Sequence, residues 1–203
     1  MKRVLGTGVF VAFALGAAWG YIEVLYPLQQ LIGESEAVAE GKIEKVDAEK
    51  KACIVKVEKA LKGKCAYERV RINIGPGVEW HPEAVMKHLV VGAPTVLFYN
   101  KERKGMLYVN RFFLQVKADA ESAPENTWWN FGHIEIKCNR TYCGPAETLA
   151  KHVLAVEAGK TKPQPPDVKI PAITKEAVAA LPVWGTAAVE ESSLPAPFRR
   201  TGP

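Results

Sequence analysis

Residues 52–63, ACIVKVEKALKG, and residues 68–74, ERVRINI, decide the fold of this chain. In both segments apolar residues alternate with polar or charged ones, and a period of two is typical of a β-strand with one buried face. The apolar positions are Cys53, Val55, Val57, Val70, Ile72 and Ile74. The turn residues Lys62 and Gly63 predict an antiparallel pair in which the numbers of facing residues sum to about 125.

Three further segments have the character of strands. They are residues 37–47, AVAEGKIEKVD, residues 91–100, VGAPTVLFYN, and residues 106–116, MLYVNRFFLQV. The alternation changes phase at Gly41 and between Val109 and Phe112, which predicts a β-bulge at each place.

Helices are expected between and after these strands. Proline and glycine positions predict a short helix from Pro27 to Gly33, one near residues 82–89, and one that begins at Gly144-Pro145 and ends at Gly159. We therefore expect a mainly β fold, a small OB-like five-stranded barrel with a C-terminal helix, over residues 21–160.

The first twenty residues resemble a targeting segment. Lys2 and Arg3 precede an uncharged run over residues 4–20, VLGTGVFVAFALGAAWG, which ends in small residues. A charged start, an apolar middle and a small-residue end are typical of a secretory signal peptide, and an uncut segment would act as an N-terminal membrane anchor. Both alternatives predict an extracytoplasmic domain, either secreted or periplasmic, with possible membrane anchorage.

The last part of the chain, residues 161–203, is rich in proline. This composition predicts an extended or disordered tail that contributes little to the core, with one helical turn near residues 174–180. Trp184 and Phe198 are the exceptions, because each could dock on the domain or on a partner.

Four cysteines, Cys53, Cys65, Cys138 and Cys143, form an even set in a chain expected to leave the cytoplasm. Disulfide bonds are the default in that case, with Cys138 bonded to Cys143 and Cys53 to Cys65. The strand register places Cys65 opposite Ala60, so the second bond requires the loop to fold back. A zinc site with His133, Cys138 and Cys143 is the alternative, although these residues lack the usual paired spacing.

The formal net charge of +5 does not predict nucleic-acid binding, because lysine and glutamate are interspersed along the chain. Arg69 and Arg71, on an outward strand face, together with the charged turn at residues 101–104 form a modest basic patch. This patch would suit an anionic polymer or a lipid headgroup, whereas a turn that merely stays solvated is the alternative.

Residues 128–133, WWNFGH, form the main candidate binding site. Trp128, Trp129, Phe131 and His133 would offer aromatic faces beside polar groups, which suit sugars, peptides or stacked bases. The alternative is that one tryptophan and Phe131 close the barrel core while the other tryptophan lies along the surface.

The four histidines, His81, His88, His133 and His152, are scattered and are expected to face solvent. Glu79-Trp80-His81 and His133-Ile134-Glu135 place a carboxylate near an imidazole, as acid–base catalysis requires. The sequence lacks the G-x-S-x-G and phosphate-loop motifs, and we predict no metal or cofactor.

The strand segments also resemble a known family. The strand that ends in KALKG, the charged strand after it and VGAPTVLFY are similar to the netrin-like domain of tissue inhibitors of metalloproteinases and to exported bacterial proteins of undefined role, over residues 34–158. In the inhibitors an N-terminal cysteine chelates the target's metal, but this chain has no cysteine before Cys53, so the resemblance does not imply inhibition.

These features predict an exported, non-catalytic binding or interaction module of the cell envelope. Its partner would be an extracytoplasmic protein, peptide or glycan. One alternative is an envelope hydrolase that uses His81 or His133 with a carboxylate, and another is a structural accessory protein that docks through its tail.

Overall fold

The computed structural model describes residues 26–119, 123–139, 141–160, 174–180 and residue 183. The predicted signal or anchor segment, residues 1–20, lies outside these ranges, and so does most of the predicted tail, including Trp184 and Phe198. Within the described residues, no helix has the length and apolar character needed to cross a bilayer.

The described chain contains seven strands and five helices. The strands are β1 (Ala37–Asp47), β2 (Ala52–Lys62), β3 (Arg69–Asn73), β4 (Pro94–Tyr99), β5 (Lys104–Val109), β6 (Phe112–Ala118) and β7 (Trp128–Ile134). The helices are α1 (Leu28–Glu34), α2 (His81–His88), α3 (Ile136–Asn139), α4 (Ala146–Glu157) and α5 (Lys175–Ala179).

The strands form a closed barrel in the order β1-β2-β3-β7-β6-β5-β4. All neighbours are antiparallel except β3 and β7, which are parallel. The expected mainly β barrel is therefore confirmed, while the expected number of five strands is wrong because the barrel has seven.

A hairpin turn accounts for one of the additional strands. Asn110 and Arg111 have φ angles of 43° and 73°, and Val109 faces Phe112 across the turn. Two consecutive residues with positive φ are typical of a tight β-hairpin turn. The change of phase between Val109 and Phe112 was predicted to be a bulge, but it marks the end of one strand and the start of the next.

The other additional strand is β7, which contains the aromatic segment at residues 128–134. The strand ends at Ile134, and Ile136 and Cys138 belong to the short helix α3. The proposed helices near residues 27–33, 82–89 and 145–158 correspond to α1, α2 and α4.

The predicted strand register and the bulge in β1 are confirmed. Cys53 faces Ile72 and Val55 faces Val70, as the expected pairing requires. The register of β1 against β2 shifts between Glu40 and Gly41. An added Cβ at Gly41 would lie 2.2 Å from the carbonyl oxygen of Lys56, so this position needs a residue without a side chain.

The apolar core has two layers. The barrel interior holds residues such as Val70, Ile72 and Leu97, which point inward from their strands. A second layer lies outside the barrel wall, where α1, α3 and α4 cover Phe98 of β4 and Tyr108 of β5. In contrast, the outward positions of β3 and of the start of β7 are exposed or half-buried.

Part of the tail belongs to the core, contrary to the prediction that it contributes little. The predicted helical turn near residues 174–180 is α5, and Val178 on this helix is fully buried against the barrel interior. The side chain of Thr174 caps α5 by accepting a hydrogen bond from the backbone N–H of Ala177 at 3.2 Å.

The predicted disulfide bonds are absent, because none of the four cysteines, all of which are described, is bonded to another. Cys53 is buried inside the barrel near the start of β2, whereas Cys65 follows the far end of that strand. Cys138 lies in the outer apolar layer, while Cys143 packs against the barrel interior. The members of each proposed pair thus pack in different apolar layers or lie at opposite ends of a strand.

We expect alkylation under denaturing conditions to modify four thiols, with or without prior reduction. In the native protein Cys53 and Cys138 should react much more slowly than the half-buried Cys65 and Cys143, because burial raises the pKa of the Cys53 thiol to about 12 and also raises that of Cys138. Mass spectrometry of alkylated protein measures both effects. A mass shift of fewer than four labels before reduction would contradict this account.

Candidate functional site

The aromatic segment of β7 is divided between the two faces of the barrel wall. Trp128 is 41% exposed, whereas Trp129 and Phe131 are 0% and 1% exposed. Successive side chains of a strand point to opposite faces, so Trp128 points outward and the other two rings point inward. The four residues proposed as one binding cluster are therefore not presented together.

Trp129 is a core residue. Its ring packs edge-on against Tyr67, with centroids 5.4 Å apart, and against Tyr99 at 6.2 Å. The indole Nε1 is buried and has no hydrogen-bond acceptor among the described residues. Trp129 and Phe131 are thus unavailable to a ligand, which corrects their assignment as binding residues. The arrangement matches the alternative in which one tryptophan closes the core.

A groove lies where β3 and β7 meet. The two strands pair over three positions only, and Arg71 is the partner of Trp128. The groove has a volume of about 360 Å³ and is hereafter called the seam groove. It is lined by Ala66, Glu68, Arg69, Arg71, Pro124 and Glu125.

The two arginines of the seam groove differ in their partners. Arg69 makes a bidentate ion pair with Glu44, at 2.7 and 3.0 Å, and this contact lowers the pKa of Glu44. Arg71 instead donates a hydrogen bond to the backbone carbonyl of Glu125. Arg71 is the backbone partner of Trp128 across the β3–β7 pairing, and Glu68 and Glu125 line the same groove.

The charged turn at residues 101–104 is held by local contacts. The side-chain oxygen of Asn100 accepts hydrogen bonds from the backbone N–H groups of Glu102 and Lys104 at 3.0 and 3.1 Å. Lys104 forms an ion pair with Glu102 at 2.7 Å, and Arg103 donates to the carbonyl of Asp119. These contacts are those of a turn stabilised by its own polar side chains.

The structure brings together the two histidine–carboxylate motifs. His133 Nε2 lies 3.3 Å from a carboxylate oxygen of Glu135. His81 Nδ1 accepts a hydrogen bond from the backbone N–H of Ile134 at 3.1 Å. Burial lowers the pKa of His81, and the nearby His133 lowers it further. His81 is therefore a neutral imidazole that carries its proton on Nε2.

Glu135 lines a cavity of about 230 Å³ beside α1, but neither imidazole lines it. Glu79 has a φ of 49°, a left-handed conformation that is strained for a residue with a side chain. The described part of the chain has no group of three His, Cys, Asp or Glu side chains that could hold a metal ion, so the alternative zinc set does not converge.

Two features of the site were not found from the sequence. Pro124 and Glu125 reach the seam groove only because β3 and β7 become neighbours, and no local pattern signals a parallel contact between distant segments. His88 was expected to face solvent, but it is 3% exposed and contacts both Asn110 and Val178. His88 lies on the same face of α2 as the buried Val85, and this spacing in the sequence is the signal that could have predicted its burial.

Comparison of the chain with protein-family models, curated proteins and solved structures finds no match.

Proposed function

We propose that this protein is an exported binding module of the cell envelope that contacts an extracytoplasmic protein, peptide or glycan through Trp128 and the seam groove. The observation that carries the proposal is the exposed indole of Trp128 at the position of β7 that pairs with Arg71 of β3. The charged and apolar N-terminal segment supports export. The resemblance to netrin-like domains supports a barrel used as a recognition scaffold.

The chemistry of the two side chains suits such a partner. The face of an indole packs well against the apolar face of a sugar ring or the aliphatic part of a peptide side chain. A guanidinium donates in a fixed plane to carboxylate or carbonyl oxygens of the same ligand. Both residues lie on paired strands, so no backbone segment has to become ordered when a ligand binds.

Retention of a partner tests the proposal. Affinity capture from the envelope fraction of the host should recover a partner with the wild-type domain, and Trp128→Ala should lower its recovery about tenfold or more, because exposed aromatic anchors dominate binding energy. The partner is then identified as protein, peptide or glycan by mass spectrometry.

Val91→Ala is the matched control, because Val91 is 58% exposed and lies in the turn before β4, on another element. Its recovery of the partner should equal that of wild type. Equal loss in both variants would indicate non-specific adsorption, and undiminished recovery with Trp128→Ala would show that this surface is not the binding site.

The His133–Glu135 contact favours a second candidate, a hydrolase of the envelope. In this candidate Glu135 orients His133, whose imidazole acts as a general base on a water molecule. Turnover of ester or glycoside substrates that is lost in His133→Ala would support it. The third possibility, an accessory protein that docks through its tail, has to account for α5 being packed on its own barrel.

A further inference from the structure

His88 joins three elements at one end of the barrel. Its Nε2 lies 3.2 Å from the carbonyl oxygen of Val178 on α5, and its Nδ1 lies 2.9 Å from the side-chain nitrogen of Asn110 in the turn between β5 and β6. Its ring also packs against Phe112, with centroids 5.1 Å apart. Because a carbonyl only accepts hydrogen bonds, Nε2 carries the proton and Nδ1 accepts from Asn110.

The contact with α5 depends on few groups. A helix of five residues is too short to be stable by itself, so α5 is helical because it is docked. Val178 is its one fully buried side chain, and the hydrogen bond from His88 holds the same residue by its backbone. Release of α5 therefore requires the loss of the apolar packing of Val178 and Ala177 and of the hydrogen bond from His88, without disruption of any strand pairing.

Protonation of His88 would place a second N–H against the amide group of Asn110. Among the described residues no carboxylate contacts the imidazole, since its partners are Val178 and Asn110 and Glu83 of α2 forms an ion pair with Lys51. Lys87 precedes His88, Arg111 follows Asn110 and donates to the carbonyl of Cys143, and α5 contributes Lys175. Glu176 is exposed and lies two positions from Val178, on the other side of the helix.

Burial lowers the pKa of His88 below its ordinary value of 6.5, Lys87 lowers it further, and the hydrogen bond to Val178 opposes both. A histidine with a lowered pKa in the docked state binds fewer protons than in the undocked state. Docking is thus unaffected well above pH 6.5 and weakens as the pH falls below that value.

We propose that the end of the barrel formed by α2 and the Asn110 turn is a docking site for a short helix, that α5 is its resident occupant, and that protonation of His88 releases α5. Release uncovers part of the apolar cluster that Val178 shares with Val85, Leu89 and Phe112. In an acidic compartment the protein then presents a second interaction surface, on a different part of the barrel from the seam groove.

Hydrogen exchange of the full chain, corrected for the intrinsic effect of pH, tests this proposal between about pH 7.5 and about pH 5. The amides of Val178 and Ala180, which donate to Thr174 and Glu176, report on α5. Their protection should fall about tenfold for each pH unit across the titration of His88, while protection of the β-strands stays constant.

Two variants distinguish release of α5 by protonation of His88 from a non-specific effect of low pH on the protein. His88→Gln keeps a donor for the Val178 carbonyl and does not titrate, so protection of α5 should become independent of pH. Asn110→Asp supplies a carboxylate that accepts from the imidazolium, so α5 should stay docked in acid. His152→Gln, on α4, is the control and should behave as wild type.

Three results would overturn the proposal. One is constant protection of α5 in acid, as would follow if the amide of Asn110 simply turned over to present its oxygen. Another is the same loss of protection in His88→Gln as in wild type. The third is simultaneous loss of protection in the strands, which would make α5 an integral part of the barrel rather than a releasable occupant.

Discussion

Replacement of Trp129 by alanine is expected to lower the free energy of unfolding by about 3–5 kcal/mol, the usual range for a buried aromatic side chain. The indole is fully buried and packs edge-on against Tyr67 and Tyr99 inside the barrel. Backbone pairing on both sides of β7 holds these rings in place, so the cavity left by the indole would not close fully. Urea denaturation monitored by far-UV circular dichroism measures the change.

Trp128→Ala is the matched control for this experiment, because Trp128 is the preceding residue of the same strand and its ring is 41% exposed. We expect it to cost about 1 kcal/mol or less. A loss of several kcal/mol in Trp128→Ala, or a small loss in Trp129→Ala, would contradict the placement of Trp129 inside the barrel and Trp128 outside it.

Gly41→Ala is expected to destabilise the protein by about 3 kcal/mol, at the upper end of the range for overpacking. The added Cβ would lie 2.2 Å from the carbonyl oxygen of Lys56, which belongs to the backbone of β2. Relief of that contact requires β1 and β2 to separate at the bulge, and β1 is also paired with β4 at this position. Chemical denaturation of the purified variant provides the measurement.

Gly33→Ala serves as the control for the glycine substitution. Gly33 lies in α1 and has no atom of another residue within 4 Å of an added Cβ. Alanine should therefore leave stability unchanged or raise it by up to about 1 kcal/mol. If both variants lost stability equally, the close approach of β1 and β2 at Gly41 would not be the cause.

The sequence was sufficient for the parts of the fold that depend on local patterns. Alternation in residues 52–63 and 68–74 predicted the β2–β3 register, and the change of phase at Gly41 predicted the bulge. Proline and glycine positions predicted α1 and α4. In each case the physical signal lies within a few neighbouring residues.

Features that depend on distant contacts were not predictable in this way. Asn110 and Arg111 form a turn without the usual glycine, so the sequence pattern predicts a single bulged strand where the structure has the β5–β6 hairpin. The strand β7 joins the barrel through a parallel contact with β3, from which it is separated by the whole of β4, β5 and β6. An even number of cysteines predicts disulfide bonds, although Cys138 and Cys143 pack in different apolar layers.

The same difference applies to the candidate site. Trp128 was proposed from composition, but only the pairing of β7 with β3 places it beside Arg71 and the seam groove. The sequence does not show which of Trp128 and Trp129 is buried. Period-two alternation places them on opposite faces of a strand but does not identify the buried face. His88 and the tail helix α5 were missed as a contact for a similar reason, since they are distant in sequence.

The exchange rates of the indole N–H protons of Trp128 and Trp129, measured in one NMR experiment on the native protein, test the central claim that these neighbours lie on opposite sides of a closed barrel wall. We predict rapid exchange for Trp128 and strong protection for Trp129, whose Nε1 is buried. Protection of both indoles would contradict the proposed binding surface, and rapid exchange of both would contradict the closed barrel itself.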